Sequence, residues 1–269
     1  MVAYRPLIES LVAAGHGFSP TVESASAAQV ERSVVLADAM AGRAGPEWPG
    51  VRPRVVDAAD HCRPIYRPVL SYAYLAAGVV TGSPPPTEPE LADPDVPFTA
   101  AAGAEAAAVV WSALALHAGS IAFGRSDWAT AARAVFERLV TSQAPSGALL
   151  RATSSDNPET HWYHELVTLH AAADYAAWTG DPAVSAAVER AVRFHLAETE
   201  PDHATGQPWG LSAFVRVPGA EPLVDAALHA VSAHQASGPG GLTLFLLADT
   251  LYGLRHATPH PATREDRSP

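Results

Sequence analysis

The chain has no lysine; its 17 basic residues are all arginine. It has one cysteine, Cys62, which excludes an intramolecular disulfide and any multi-cysteine metal site. Against 28 acidic residues, the arginines leave a net charge of -11 and a pI near 5.5. That balance lacks the basic face needed for non-specific nucleic-acid binding. The lack of lysine accompanies abundant alanine and proline and is read as genomic GC bias, with no functional weight. Large side chains are scarce too: aromatics make up 7% of the chain, and much of the 48% hydrophobic content is alanine. The core is therefore expected to come from closely approaching helices. The first residues, MVAYRPLIESLVAAGHGF, lack the unbroken apolar stretch of a signal peptide. No window approaching 18 apolar residues without charge is read, so no membrane span and a cytoplasmic location are expected. Alternating β-patterns are missing as well.

What is present is helical periodicity between strong breakers. Helices are expected at 5–14, 22–42, 65–80 (kinked or started at Pro68), 99–123, 126–143, 160–179, 182–198, 222–236 and 241–256. Ser126 is expected to cap its helix, and Asp181-Pro182 to open the one after Gly180. Residues 43–64 are broken by prolines apart from a turn at 55–59. The stretch 82–98, with six prolines, reads as a surface excursion or lid, and the tail 258–269 as disordered.

An internal repeat organises these helices. Leu116-His117-Ala118, Gly124, Asp127, AVFERLV at 134–140, Gln143 and Ser146-Gly147 recur as Leu169-His170-Ala171, Gly180, Asp181, AVRFHLA at 191–197, Glu200 and Thr205-Gly206. Each unit is a helix, a tight turn, a second helix and a glycine-bearing return loop. Such hairpins stack side by side. The expected architecture is one all-α domain over 1–257, an α/α toroid or incomplete toroid of four to five hairpins.

On these hairpins the chain resembles the α/α-toroid families: polysaccharide lyases, several glycoside hydrolases, and the terpene-cyclase and prenyltransferase toroids. Asn157, then three residues, then His161-Trp162-Tyr163, a small-residue helix and Gly180-Asp181 resemble the Asn-His-aromatic segment of alginate-lyase-type toroids. That family has Asn directly before His; here Pro158, Glu159 and Thr160 intervene. The resemblance implies that Asn157 and His161 neutralise a uronate carboxylate and that Tyr163 is the acid/base. AVFERLVTSQAPSG at 134–147 is similar to the Gln-and-Gly repeat of squalene-cyclase-type toroids, a structural brace, although Ala148-Leu149 stand where that repeat closes on tryptophan. The adjacent aspartates of the cyclase acid motif are absent. HWYHELVTLHA and PDHATGQPWG also look like an uncharacterised bacterial family.

The densest chemistry lies in 156–174, with Asn157, Glu159, His161, Trp162, Tyr163, His164, Glu165, His170 and Asp174. A second cluster follows in EPDHATGQPWG at 200–210. His161, Tyr163, His164 and His203 are the acid/base candidates, because imidazole titrates near neutrality, with Glu165 as their carboxylate partner. Asn157, Trp162, Asp202, Gln207 and Trp209 are candidates for holding substrate, the tryptophans as stacking platforms. Residues 157–165 have no counterpart in the earlier hairpin, whereas His170 repeats His117 and so reads as a fold constraint. His117, His195 and His229 within helices read as structural. Asp60-His61-Cys62 is similar to the Asp-x-Cys zinc ligands of protein prenyltransferases, and Arg63 with Arg67 could hold an anion; a buried thiol and a solvated pair are the plainer readings.

The function expected is a carbohydrate-active enzyme, a polysaccharide lyase or glycoside hydrolase, working on a saccharide or oligosaccharide without a cofactor. One alternative is a non-catalytic α-hairpin module with a concave surface for a peptide or protein. The other is a metal-dependent enzyme holding zinc through His161, His164 and His203, although these lack the H-E-x-x-H pattern.

Overall fold

A helix that is apolar on every side has to be enclosed by other helices, whereas an amphipathic helix covers them. The computed structural model describes residues 4–14, 63–82, 103–152, 158–198, 207–234 and 241–256. Their elements are α1 (Arg5–Ala14), α2 (Arg63–Thr81), α3 (Gly103–Phe123), α4 (Ser126–Ser142), α5 (Pro158–Thr179), α6 (Pro182–Glu198), α7 (Leu211–Phe214), α8 (Glu221–His234) and α9 (Gly241–His256). No strand occurs among the described residues, and the protein is all-α. The expected helix at 22–42, the turn at 55–59, Asp60–Cys62, the proline-rich stretch past Gly82 and the tail lie outside the described residues.

The layers follow the sequence. α3 buries residues all round, from Ala106 to Gly119, and α5 does so from His161 to Tyr175. α4 buries only Ala132, Val135, Phe136 and Leu139, and α6 a single stripe from Val184 to His195. α3 packs between α2, α4 and α5; α5 packs on α3, α6 and α7; α7 packs on α9, and α1 covers α9. α3 and α5 run parallel. The Trp111 indole donates to the Val167 carbonyl at 2.9 Å and stacks on His170, and six residues on His117 meets Tyr175 and Trp178.

Parallel inner helices with antiparallel outer partners are what the internal repeat demands. Both turns reverse through a left-handed glycine, Gly124 at φ 69° and Gly180 at φ 68°. Asp181 Oδ1 then accepts the N–H groups of Ala183 and Val184 ahead of Pro182 opening α6, as expected. The other turn departs from expectation. Ser126 is the first helical residue and not the cap; Arg125 occupies the cap position and makes no side-chain cap bond. Its guanidinium instead pairs with Asp127 at 2.7 Å and lies over the Trp128 ring.

Other departures are local. α2 runs through Pro68 rather than starting there, beginning at Arg63. The expected loop between α6 and α8 holds the four-residue α7. Against the expectation that no window approaches 18 apolar residues, α3 is long and apolar enough to cross a membrane by length and composition. The physical reason is its position: 61% of its apolar window is buried against neighbouring helices.

Close approach depends on small residues. A Cβ at Gly119 of α3 would stand 2.8 Å from two ring atoms of Trp128 on α4. That ring is held between Arg125 and Phe123 and has little freedom to move. We expect Gly119→Ala to cost ~1–3 kcal/mol through overpacking, measured as a lowered midpoint of urea denaturation with unchanged slope.

Candidate functional site

The front of α5 sends its side chains to different neighbours. Glu165 is fully buried and points at the return loop of the first hairpin. Its Oε2 accepts the Leu149 N–H at 3.1 Å and its Oε1 the Leu150 N–H at 2.5 Å. Both oxygens of this expected catalytic partner are thus engaged in holding backbone. Burial raises its pKa to about 8, against the lowering effect of those two N–H groups. His161 is buried and lies near His195 of α6, whose pKa falls to about 4 through burial and the His161 charge. His164 reaches the start of α3, where its Nδ1 would stand 3.3 Å from a Cβ at Gly103. Tyr163 turns its ring edge-on to Trp209. Trp162 is half-buried, and Asn157, Asp202 and His203 lie outside the described residues.

Trp209 was expected to be a platform open to a sugar, but it is only 2% exposed. Its indole N–H donates to Gln207 Oε1 at 2.8 Å, so the loop braces itself. The ring meets Trp111, Tyr163 and His170, each at 5.8–6.2 Å between centroids. An indole enclosed in this way is an internal wall, since stacking on a ligand needs an open ring face.

Behind that wall lies a polar group absent from the sequence expectations as a site. His170 and Asp174, one turn apart on α5, face Asp249 of α9. His170 Nε2 stands 3.4 Å from Asp249 Oδ2 and 3.6 Å from Asp174 Oδ2. Each carboxyl is anchored by its other oxygen. Asp249 Oδ1 accepts the Tyr72 hydroxyl from α2 at 3.3 Å, and that hydroxyl in turn accepts the Trp178 indole N–H. Asp174 Oδ1 accepts the Ser212 hydroxyl from α7 and Arg216 Nη1 at 3.4 Å; Arg216 Nη1 also donates to Ser212 Oγ at 2.6 Å. His170 Nδ1 and Arg216 Nε have no hydrogen-bond partner, and Asp174 Oδ2 has none apart from the proton it can share with Asp249.

Electrostatics separate the two carboxyls. Burial pushes Asp249 well above the usual carboxylate range, and the neighbouring Asp174 charge adds to the rise. Burial also acts to raise Asp174. The hydrogen bond with Asp249, the nearby His170 and Arg216 and the Ser212 hydroxyl outweigh it and hold Asp174 low. Burial takes His170 down to about 4, so its ring is neutral at pH 7 and Arg216 is the cation that balances Asp174. The two shifts run in opposite directions, so of the pair Asp249 is the member that favours its protonated form. The ligand atoms of His170, Asp174 and Asp249 all lie within 4.8 Å of one another, and a group of this composition could bind a metal ion.

The clue in sequence was Asp249 itself, a single acid inside the apolar run LTLFLLADTLYGL. A buried acid in such a helix must find a partner. Its distance in sequence from 170–174 hid which one. Compared with known proteins, the chain matches no family model, no curated protein and no solved structure.

Two outcomes follow from these contacts. Glu165 has a folded pKa raised above its unfolded 4.5, so its contribution to stability is full below pH 4.5 and is lost as pH rises through about 8. Denaturation from pH 4 to 9 should show that decline, and Glu165→Gln, which cannot ionise, should flatten it. Arg216 owes its position to Gly253 of α9, where a Cβ would lie 2.0 Å from Nη2. Gly253→Ala should displace the guanidinium, strip Asp174 of its cation and cost ~3–5 kcal/mol in unfolding free energy.

Proposed function

We propose that hairpins α3/α4 and α5/α6 are units of an α/α toroid, and that the chain is an enzyme with its acid–base centre at Asp174 and Asp249. The reaction class is a lyase or hydrolase acting on a saccharide or oligosaccharide. One observation carries the enzyme reading: two carboxyls with oxygens within 4.8 Å, each anchored on one side only, sit in environments that push their pKa values in opposite directions. Environments that split the pKa values of adjacent acids assign a proton donor and a proton acceptor. Asp249 is the donor and Asp174 the base, with Tyr72 orienting the first and Ser212 the second. The parallel inner helices support the toroid, and the segment resembling alginate-lyase-type toroids, His161-Trp162-Tyr163, leads directly into His170 and Asp174 on the same helix.

The spacing narrows the chemistry. Inverting glycosidases hold their carboxyls ~6.5–9.5 Å apart to admit water. A pair within 4.8 Å leaves no such room. That argues against an inverting hydrolase; in a lyase Asp174 removes the proton α to the uronate carboxylate and Asp249 protonates the leaving oxygen.

The test is a panel of uronate polymers and neutral oligosaccharides. Ultraviolet absorbance of unsaturated products reports lyase action, and reducing-end release reports hydrolysis. Turnover of one class is expected, with Asp174→Asn and Asp249→Asn each slowing it ~10²–10⁴-fold while circular dichroism stays native. Failure of every saccharide to be turned over or to raise the melting temperature overturns the reading.

A further inference from the structure

His170, Asp174 and Asp249 turn three donor atoms toward one another, and the His170–Asp249 hydrogen bond among them is long for its kind. His170 Nε2 is 3.4 Å from Asp249 Oδ2 and 3.6 Å from Asp174 Oδ2. Good N–H···O bonds span ~2.7–3.2 Å. Two donors on one tetrahedral ion, with bonds of ~2.0–2.2 Å, stand ~3.3–3.5 Å apart. An octahedral ion with bonds of ~2.1 Å would draw them to ~3.0 Å.

The supporting contacts have the arrangement of an outer shell around an ion. Tyr72 holds Asp249 by Oδ1, and Ser212 with Arg216 holds Asp174 by Oδ1, so each carboxyl turns its Oδ2 inward. The inward oxygen of Asp174 is buried and, once Asp249 gives up its proton, has no hydrogen-bond partner. The His170 ring is fixed by stacking on Trp111 and by the Trp209 edge, which aims Nε2 at both carboxyls.

We propose that His170 Nε2, Asp174 Oδ2 and Asp249 Oδ2 form a binding site for one divalent transition-metal ion, with zinc the best fit. The imidazole ligand disfavours calcium and magnesium, which take all-oxygen sets. Three protein ligands leave a fourth position for water or substrate, the arrangement of catalytic zinc sites. The site does not depend on the saccharide reading; binding the ion displaces the Asp249 proton, so an ion-loaded centre excludes Asp249 as the proton donor of that reading.

The experiment uses the full chain stripped with a chelator, then titrated with zinc chloride against a chromophoric chelator and assayed by elemental analysis. One zinc per chain is expected. His170→Gln and Asp249→Asn should each weaken binding more than ~100-fold, and Tyr72→Phe, which keeps the ring packing, ~10–100-fold. Cobalt should give the intense visible bands of a four-coordinate ion, lost in His170→Gln. Should His170→Gln or Asp249→Asn fail to fold, Tyr72→Phe decides. Less than stoichiometric zinc in the wild type overturns the site, and so does affinity that survives these substitutions or depends on His161 or His164 instead. Zinc binding without turnover of any saccharide removes the saccharide reading alone, and undiminished turnover in chelator removes the ion from the reaction.

Discussion

Asp174 and Asp249 put two carboxyl groups side by side in an apolar interior, and the other inner contacts are arranged around that fact. Two unpaired charges there would cost far more than a folded chain of this size can spare. Burial and the Asp174 charge therefore favour the protonated form of Asp249, and Asp174 is balanced by Arg216 and hydrogen-bonded by Ser212. The partners come from different elements: Tyr72 from α2, His170 and Asp174 from α5, Ser212 from α7 and Asp249 from α9. The network consequently fixes how four helices meet. Removing one member strands the others, which is more damaging than never having buried them.

The scaffold makes such a network feasible by keeping its helices thin. α3 brings alanines and Gly119 to its neighbours, and its fully buried aromatic residue, Trp111, touches Tyr72, His170 and Trp209 together. Gly253 lets Arg216 cross the face of α9. Outer helices contribute through loop bracing. Gln143, just past the end of α4, donates to the Ala187 carbonyl and accepts from Arg190, both on α6, and Glu165 clamps the loop that returns to α5. Acid–base or metal chemistry at a buried centre depends on this kind of rigidity, because its ligands are held by packing and not by exposed loops.

The expectations about the site had a mixed outcome, for reasons that lie in particular residues. Glu165 and His164 looked chemical because they were crowded together. Crowding along a helix, however, sends neighbours to different faces, and these two reach a loop and the start of α3. His170 was read as a fold constraint because it repeats His117. The two rings are equivalent in their hairpins, yet only His170 faces a second helix that carries an acid. Trp209 looked like an exposed platform because its loop is polar; the loop turns the indole inward and bonds it to Gln207.

The sequence alone determined the helices, the order in which apolar and amphipathic ones alternate, and the paired turns at Gly124 and Gly180. Each of these follows from residues within one or two turns of each other: periodicity, a left-handed glycine, a capping aspartate. Which polar residues meet was decided only by the tertiary structure. Asp249 lies 75 residues beyond Asp174, and their meeting depends on α9 packing against α7 and reaching Tyr72 of α2 and His170 of α5. No local pattern encodes that approach, because it is set by how the small residues of several helices fit together.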